Sequence, residues 1–183
     1  MHRLKFKETL DLIFSEMRGV LSRVDEEKTE KFIEMILEAK RIFLIGQGRS
    51  GLVGRCFAMR LMQMGFSVYV VGETITPAIG KDDLLIVCSA SGEKYLLLEF
   101  SSLAREKGAV VCVLTARRDS LLSRLGGLLI KIPVFSKKFT SSQPLGSLFE
   151  QSLLFYLEGV VLSLMKRINI PEAEMRKRHA NLE

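Results

Sequence analysis

Arg41-Ile42-Phe43-Leu44-Ile45, running into Gly46-Gln47-Gly48-Arg49-Ser50-Gly51, is the stretch that decides the fold. An apolar run ends in a glycine turn, and an amphipathic pattern begins at Ser50. The stretch therefore predicts a buried strand over 41–45 and a helix over 50–64. Glycines in the turn permit positive φ and close backbone approach, while the helix start offers unpaired N–H groups at the positive end of its dipole. Such an arrangement binds an anion, typically a phosphate.

The same turn satisfies G-x-G-x-x-G, and Glu73 falls where a dinucleotide fold keeps its ribose-binding acid. Three features make a nicotinamide or flavin site the least favoured reading. Ser50 beside Arg49 supplies a hydroxyl and a guanidinium, which suit a terminal phosphate better than a pyrophosphate. A second turn, Ser89-Ala90-Ser91-Gly92-Glu93, follows the strand-like run 83–88. There the Ser89 and Ser91 hydroxyls, the N–H groups of Gly92 and Glu93 and the Lys94 cation are candidates to wrap a phosphate, although Ser91 as a simple helix N-cap fits as well. Finally, 183 residues leave no separate domain for a hydride acceptor.

Outward from these turns, residues 4–21 place Leu4, Leu10, Ile13, Phe14, Met17 and Leu21 on one helical face. Residues 26–39 repeat the pattern with Phe32, Ile33, Ile36 and Leu37. Strands are expected over 67–71, 84–88, 109–114 and 128–132, with helices over 93–107 and 119–126 and a long one over 147–167. Alternation of this kind, with continuous apolar strands, predicts an α/β fold with a five-stranded parallel sheet covered by helices on both faces. In such sheets ligands bind beyond the carboxyl ends of the strands, where both glycine turns fall.

A hydrophobic content of 48% predicts a well-cored chain. The polar start Met1-His2-Arg3-Leu4-Lys5 predicts no signal peptide, and no apolar run is expected to reach the roughly 20 residues of a membrane span. The protein is thus expected to be cytoplasmic and to have no membrane partner. Cys56, Cys88 and Cys112 lack C-x-x-C spacing and read as buried reduced thiols, with no metal site implied. Met59, Met62 and Met64 read as core filling. The net charge of +6 fits an anionic substrate, but the basic residues lack aromatic interleaving, so no nucleic acid is expected.

Gly46-x-Gly48-Arg49-Ser50-Gly51, Gly72-Glu73-Thr74-x-Thr76-Pro77-Ala78 and Ser89-x-Ser91-Gly92-Glu93, in that order, resemble the sugar isomerase (SIS) domain family. Within it the chain resembles the 6-phospho-3-hexuloisomerases over nearly its whole length. Pro144-Leu145-Gly146-Ser147-Leu148-Phe149-Glu150 and the terminal Arg178-His179-Ala180-Asn181-Leu182-Glu183 add to the likeness. The resemblance implies a flavodoxin- or Rossmann-like three-layer αβα sandwich and one SIS domain over 1–183. Within it, helices at 1–40 and 147–183 flank a parallel core at 41–132. It also implies a homotetramer, a sugar-phosphate substrate, no cofactor, and interconversion of 3-hexulose 6-phosphate and fructose 6-phosphate in formaldehyde fixation or pentose phosphate supply.

That reaction needs a base to move a proton between neighbouring carbons, and Glu150, opening the last long helix among apolar neighbours, matches the family's position for it. Read without the resemblance, Glu150 equally complements the helix dipole. His179 is the matching acid or base and, so near the terminus, is expected to enter a neighbouring subunit's site. Gly48, Arg49 and Ser50 are assigned to the phosphate or a sugar hydroxyl, and Glu73 and Thr76 to the carbohydrate.

The second turn departs from the family's usual Ser-Gly-Ser-Gly-Glu-Thr at Ala90 and Lys94, and Gln47 replaces a small residue in the first. Ala90 disfavours positive φ, and Lys94 exchanges a hydroxyl for a cation. Two further readings therefore stay open: an isomerase of another phosphosugar such as arabinose 5-phosphate, and a non-catalytic sugar-phosphate sensor. Apolar residues of the first and last long helices exceed what packing on a sheet needs, and self-association is expected.

Overall fold

The structure, a computed structural model, describes residues 5–135 and 141–182. His2, Leu4 and Glu183, and the middle of the 133–146 loop, lie outside the described residues. Two helices, α1 (Phe6–Leu21) and α2 (Glu26–Glu38), precede the glycine stretch. Asp25 caps α2 by accepting from the Lys28 N–H, with Glu26 and Glu27 in the first turn beside the dipole's positive end.

From there strands and helices alternate: β1 (Arg41–Gly46), α3 (Gly48–Gln63), β2 (Val68–Val70), β3 (Asp83–Cys88), α4 (Tyr95–Glu106), β4 (Val110–Thr115), α5 (Leu121–Leu125) and β5 (Leu128–Lys131). The chain continues into α6 (Ser147–Arg167) and α7 (Glu172–Lys177). All strand pairs are parallel, in the order β2-β1-β3-β4-β5. The α/β fold and five-stranded parallel sheet expected from the sequence are therefore present.

Strand alternation builds the layers. Ile42, Leu44, Leu84, Ile86, Cys88, Cys112 and Leu114 face one side and pack with Phe57 and Leu61 of α3, Phe32 and Ile36 of α2, and Phe149, Leu153 and Leu157 of α6. Phe43, Ile45, Leu85, Val87, Val111 and Val113 face the other, against Leu97 and Ala104 of α4 and Leu122 of α5. Each fully buried Leu, Ile or Phe here contributes about 1.5–3 kcal/mol relative to exposure. The direction of winding reverses at β1, so α3 lies on one face and α4 and α5 on the other, and the crevice between β1 and β3 is the switch point.

Several details depart from the sequence expectations. Phe14 is 54% exposed, because α1 packs on its Glu16, Met17 and Val20 side. Met64 is buried, but Met59 and Met62 face outward, and Cys56 is exposed while Cys88 and Cys112 are buried. Burial pushes the Cys88 thiol up to about 12. The expectation that no apolar run reaches membrane-spanning length fails for α6, whose 18-residue window has a mean hydropathy of 1.4. Half of that window is buried against the rest of the chain, where α6 packs on α1, α2 and α3.

Candidate active site

The first turn is built by a contact between two glycines. A Cβ on Gly51 would stand 2.4 Å from the Gly46 carbonyl oxygen, and one on Gly46 would meet both Gly51 and the Cys88 carbonyl within 3 Å. Only glycine lets the end of β1 and the first turn of α3 lie this close. Gly48 has φ +57° with open space around it, and Gln47 supplies no side-chain cap. The N–H groups of Gly48, Arg49 and Ser50 thus have no intrahelical acceptor. Ser50 is buried in that turn, and Arg49 points outward.

Gly46 pairs in register with Cys88, so the second turn leaves the sheet beside the first. Here the structure corrects the expectation of a helix from 93. The N-cap is Lys94 rather than Ser91, and α4 starts at Tyr95. The Gly92 N–H donates to Ser89 Oγ at 3.1 Å and the Glu93 N–H to Ser91 Oγ at 3.3 Å, so both amides proposed for a phosphate are engaged inside the turn. Glu93 Oε1 accepts from the Leu121 N–H at 3.1 Å and holds the start of α5. Gly92, at φ +69°, packs so tightly on Ser120 that a Cβ would overlap its hydroxyl. Thr115 Oγ1 donates to the Ala90 carbonyl, clamping the turn from β4. Thr115 and Ser120 were missed from sequence, where only their position after a strand and before a helix marks them.

Glu150 sits in the first turn of α6, its backbone N–H bonded to the Gly146 carbonyl at 3.1 Å. Arg49 Nε donates to Glu150 Oε2 at 2.5 Å. The Glu150 side chain is 13% exposed and that of Arg49 64%. Two helix N-termini, a guanidinium and a nearly buried carboxylate therefore meet at the carboxyl end of β1, beside the second turn. The arrangement can bind an anion and move a proton next to it.

The family model for the SIS domain matches residues 35–155, which span the sheet, both turns and Glu150. The chain belongs to the SIS domain family. A Bacillus subtilis protein named 3-hexulose-6-phosphate isomerase is 36% identical over 98% of this chain and 100% of its own. A Mycobacterium gastri protein of the same name is 39% identical over 95% and 89%. A crystal structure of a Methanococcus jannaschii protein, for which that isomerase function is inferred, superposes with a TM-score of 0.84 at 37% identity, covering 96% and 99% of the two chains.

Other assigned residues of this SIS chain make contacts outside the Arg49–Glu150 pair. Glu73 follows β2 and pairs with Arg55 of α3, a partner not foreseen from sequence. Thr76 Oγ1 donates to the Val70 carbonyl at 2.7 Å and shapes the same loop. His179 lies beyond α7, in a cleft lined also by Arg60, Gln63, Met175 and Arg176. Arg178 donates to the Gln63 carbonyl at the far end of α3, roughly 20 Å along that helix from Arg49. Within one chain, then, His179 and Glu150 belong to opposite ends of α3. Among the described residues no group of three or more His, Cys, Asp or Glu is placed to hold a metal ion.

Proposed function

We propose that this chain is a phosphosugar isomerase interconverting 3-hexulose 6-phosphate and fructose 6-phosphate. The observation that carries the reading is the near full-length similarity to several proteins named for that reaction. The Arg49–Glu150 pair at the switch point supports it chemically.

Moving the carbonyl from C3 to C2 begins with Glu150 taking the C2 proton. The C–H electron pair becomes the C2=C3 bond, and the carbonyl pair moves onto O3 to give an enediolate. Glu150 then returns its proton to C3 as O2 loses one and O3 gains one. One carboxylate, little exposed to water, serves both carbon positions. His179 of a neighbouring copy carries the proton between the two oxygens, since its own Glu150 lies at the other end of α3. No cofactor enters this scheme.

The free N–H groups of α3, the Ser50 hydroxyl and the hydroxyls of Ser89 and Ser91 take the phosphate, with Lys94 adding charge. In this role the second turn contributes by donating its hydroxyl O–H groups, because the Gly92 and Glu93 amides are engaged by the same serine oxygens. Arg49 bonds the phosphate or a sugar oxygen, and Glu73 and Thr76 face the carbohydrate. A homotetramer in the cytoplasm, serving formaldehyde fixation or pentose phosphate supply, completes the reading. Exposed Leu52 and Met59 on α3 and Phe155 and Leu162 on α6 fit the assembly.

The test is a coupled assay in which 3-hexulose 6-phosphate is generated in situ and fructose 6-phosphate is followed, with arabinose 5-phosphate assayed in parallel. Turnover of the hexulose phosphate is the expected result. Turnover of arabinose 5-phosphate alone, or binding without turnover, contradicts the proposal.

A further inference from the structure

Glu16 is a buried carboxylate that the isomerisation scheme does not use. It lies on the inner face of α1, 5% exposed, next to the core residue Met17. Three successive residues of one distant segment converge on it. Ser141 Oγ donates to Oε2 at 2.7 Å, the Ser142 N–H to Oε1 at 2.8 Å, and Gln143 Nε2 to Oε2 at 2.8 Å. Burial pushes the Glu16 carboxyl up, but the Ser142 amide, the Ser141 hydroxyl and the Gln143 side chain outweigh it and hold the group below the usual carboxylate range.

The segment it grips leads straight to Glu150. Only residues 144–146 separate Gln143 from the start of α6. The Ser147 N–H bonds the Pro144 carbonyl at 3.1 Å, and between them Leu145 takes φ +51°, in the left-handed region, with its side chain exposed. The Glu150 N–H then bonds the Gly146 carbonyl. A short, bonded path therefore runs from the Glu16 carboxylate through 141–143 and the 144–147 turn to the first turn of α6. Leu148, Phe149 and Leu153 are buried and hold the body of the helix in the core independently of the residues that contact Glu16.

We propose that Glu16 is a positioning residue that fixes the 141–143 segment and thereby sets where Glu150 meets Arg49. The catalytic part of this claim rests on the reading of Glu150 as the base. A displacement of the first turn by a fraction of an ångström alters the aim of the carboxylate without unfolding the protein.

The test compares the full-length protein with Glu16→Gln, which keeps the volume but presents an amide donor to a set of donors. Hydrogen exchange is measured over residues 142–150 and steady-state kinetics on the same samples. Exchange in 142–150 should be about 10- to 100-fold faster than in the native protein, with β3 and β4 unchanged. The kcat should fall about 10- to 100-fold with KM within about twofold, and Glu16→Asp should recover part of the loss. Paired Ser141→Ala and Gln143→Ala substitutions remove the two side-chain donors, leave the Ser142 N–H and α1 intact, and should reproduce the effect in part if Glu16→Gln does not fold. Unchanged exchange in 142–150, or faster exchange with unaltered kcat, overturns the proposal. If the native protein has no isomerase activity, the isomerase reading fails, and the exchange comparison alone decides whether Glu16 anchors the segment.

Discussion

Arg49 Nε donates to Glu150 Oε2 at 2.5 Å, and this contact joins the N-terminus of α3 to that of α6 across 101 positions of chain. The acid is nearly buried and the guanidinium largely exposed, so Glu150 is held while Arg49 keeps access to an arriving anion. Arg49→Lys preserves the charge and loses the planar fork of donors. Steady-state kinetics should give a kcat/KM lower by about 10- to 100-fold, the effect of losing a charge-assisted hydrogen bond.

The glycine pair makes a separate, thermodynamic prediction. Gly51→Ala places a Cβ against the Gly46 carbonyl, whereas Gly48→Ala meets only a positive φ in open space. Urea unfolding should show Gly51→Ala destabilised by about 1–3 kcal/mol or more, from overpacking against backbone. Gly48→Ala should cost only about 1 kcal/mol, the penalty of the left-handed region. Equal costs would mean that the close approach of β1 and α3 relaxes freely.

These two turns also mark what was legible in the sequence. The Gly46–Gly51 spacing announced strand, turn and helix because a local pattern of apolar period and glycine encodes them. Glu150 was reached through the Pro144–Glu150 segment and its likeness to a family. Its bond to Arg49 was not legible, since nothing in the sequence says which helix starts will touch. The second turn was misread for a related reason: Ser91 looks like an N-cap, but Ser89 and Ser91 capture the Gly92 and Glu93 amides first and delay the helix to Tyr95. Phe14 was placed inside because helical periodicity identifies an apolar face without telling whether the chain itself covers it, and Cys56, Met59 and Met62 because an apolar residue type says as little about cover.

Glu16 gives the fold a defined acid sensitivity. Its folded value lies below the 4.5 of an ordinary carboxyl, so its contribution to stability is fully present above about that pH and is lost as pH falls through the lower folded value. Urea midpoints measured from about pH 5 to about pH 3 should fall more steeply for the native protein than for Glu16→Gln, which has no proton to take up there. Parallel curves would remove Glu16 from the acid response.

The separation of His179 from Glu150 along α3 makes the assembly testable through activity. Glu150→Gln and His179→Ala proteins should each be inactive alone. Mixed under conditions that exchange subunits, they should regain part of the native rate through hybrid sites holding one intact copy of each residue. Exchange without recovery would contradict a site shared between copies.

The most direct test of the account is the turnover of 3-hexulose 6-phosphate by Glu150→Gln against the native protein, with circular dichroism and the urea midpoint confirming an intact fold. The account predicts a kcat lower by about 10²–10⁴-fold, the range expected when a general base is removed. A folded Glu150→Gln protein with near-native kcat would contradict it.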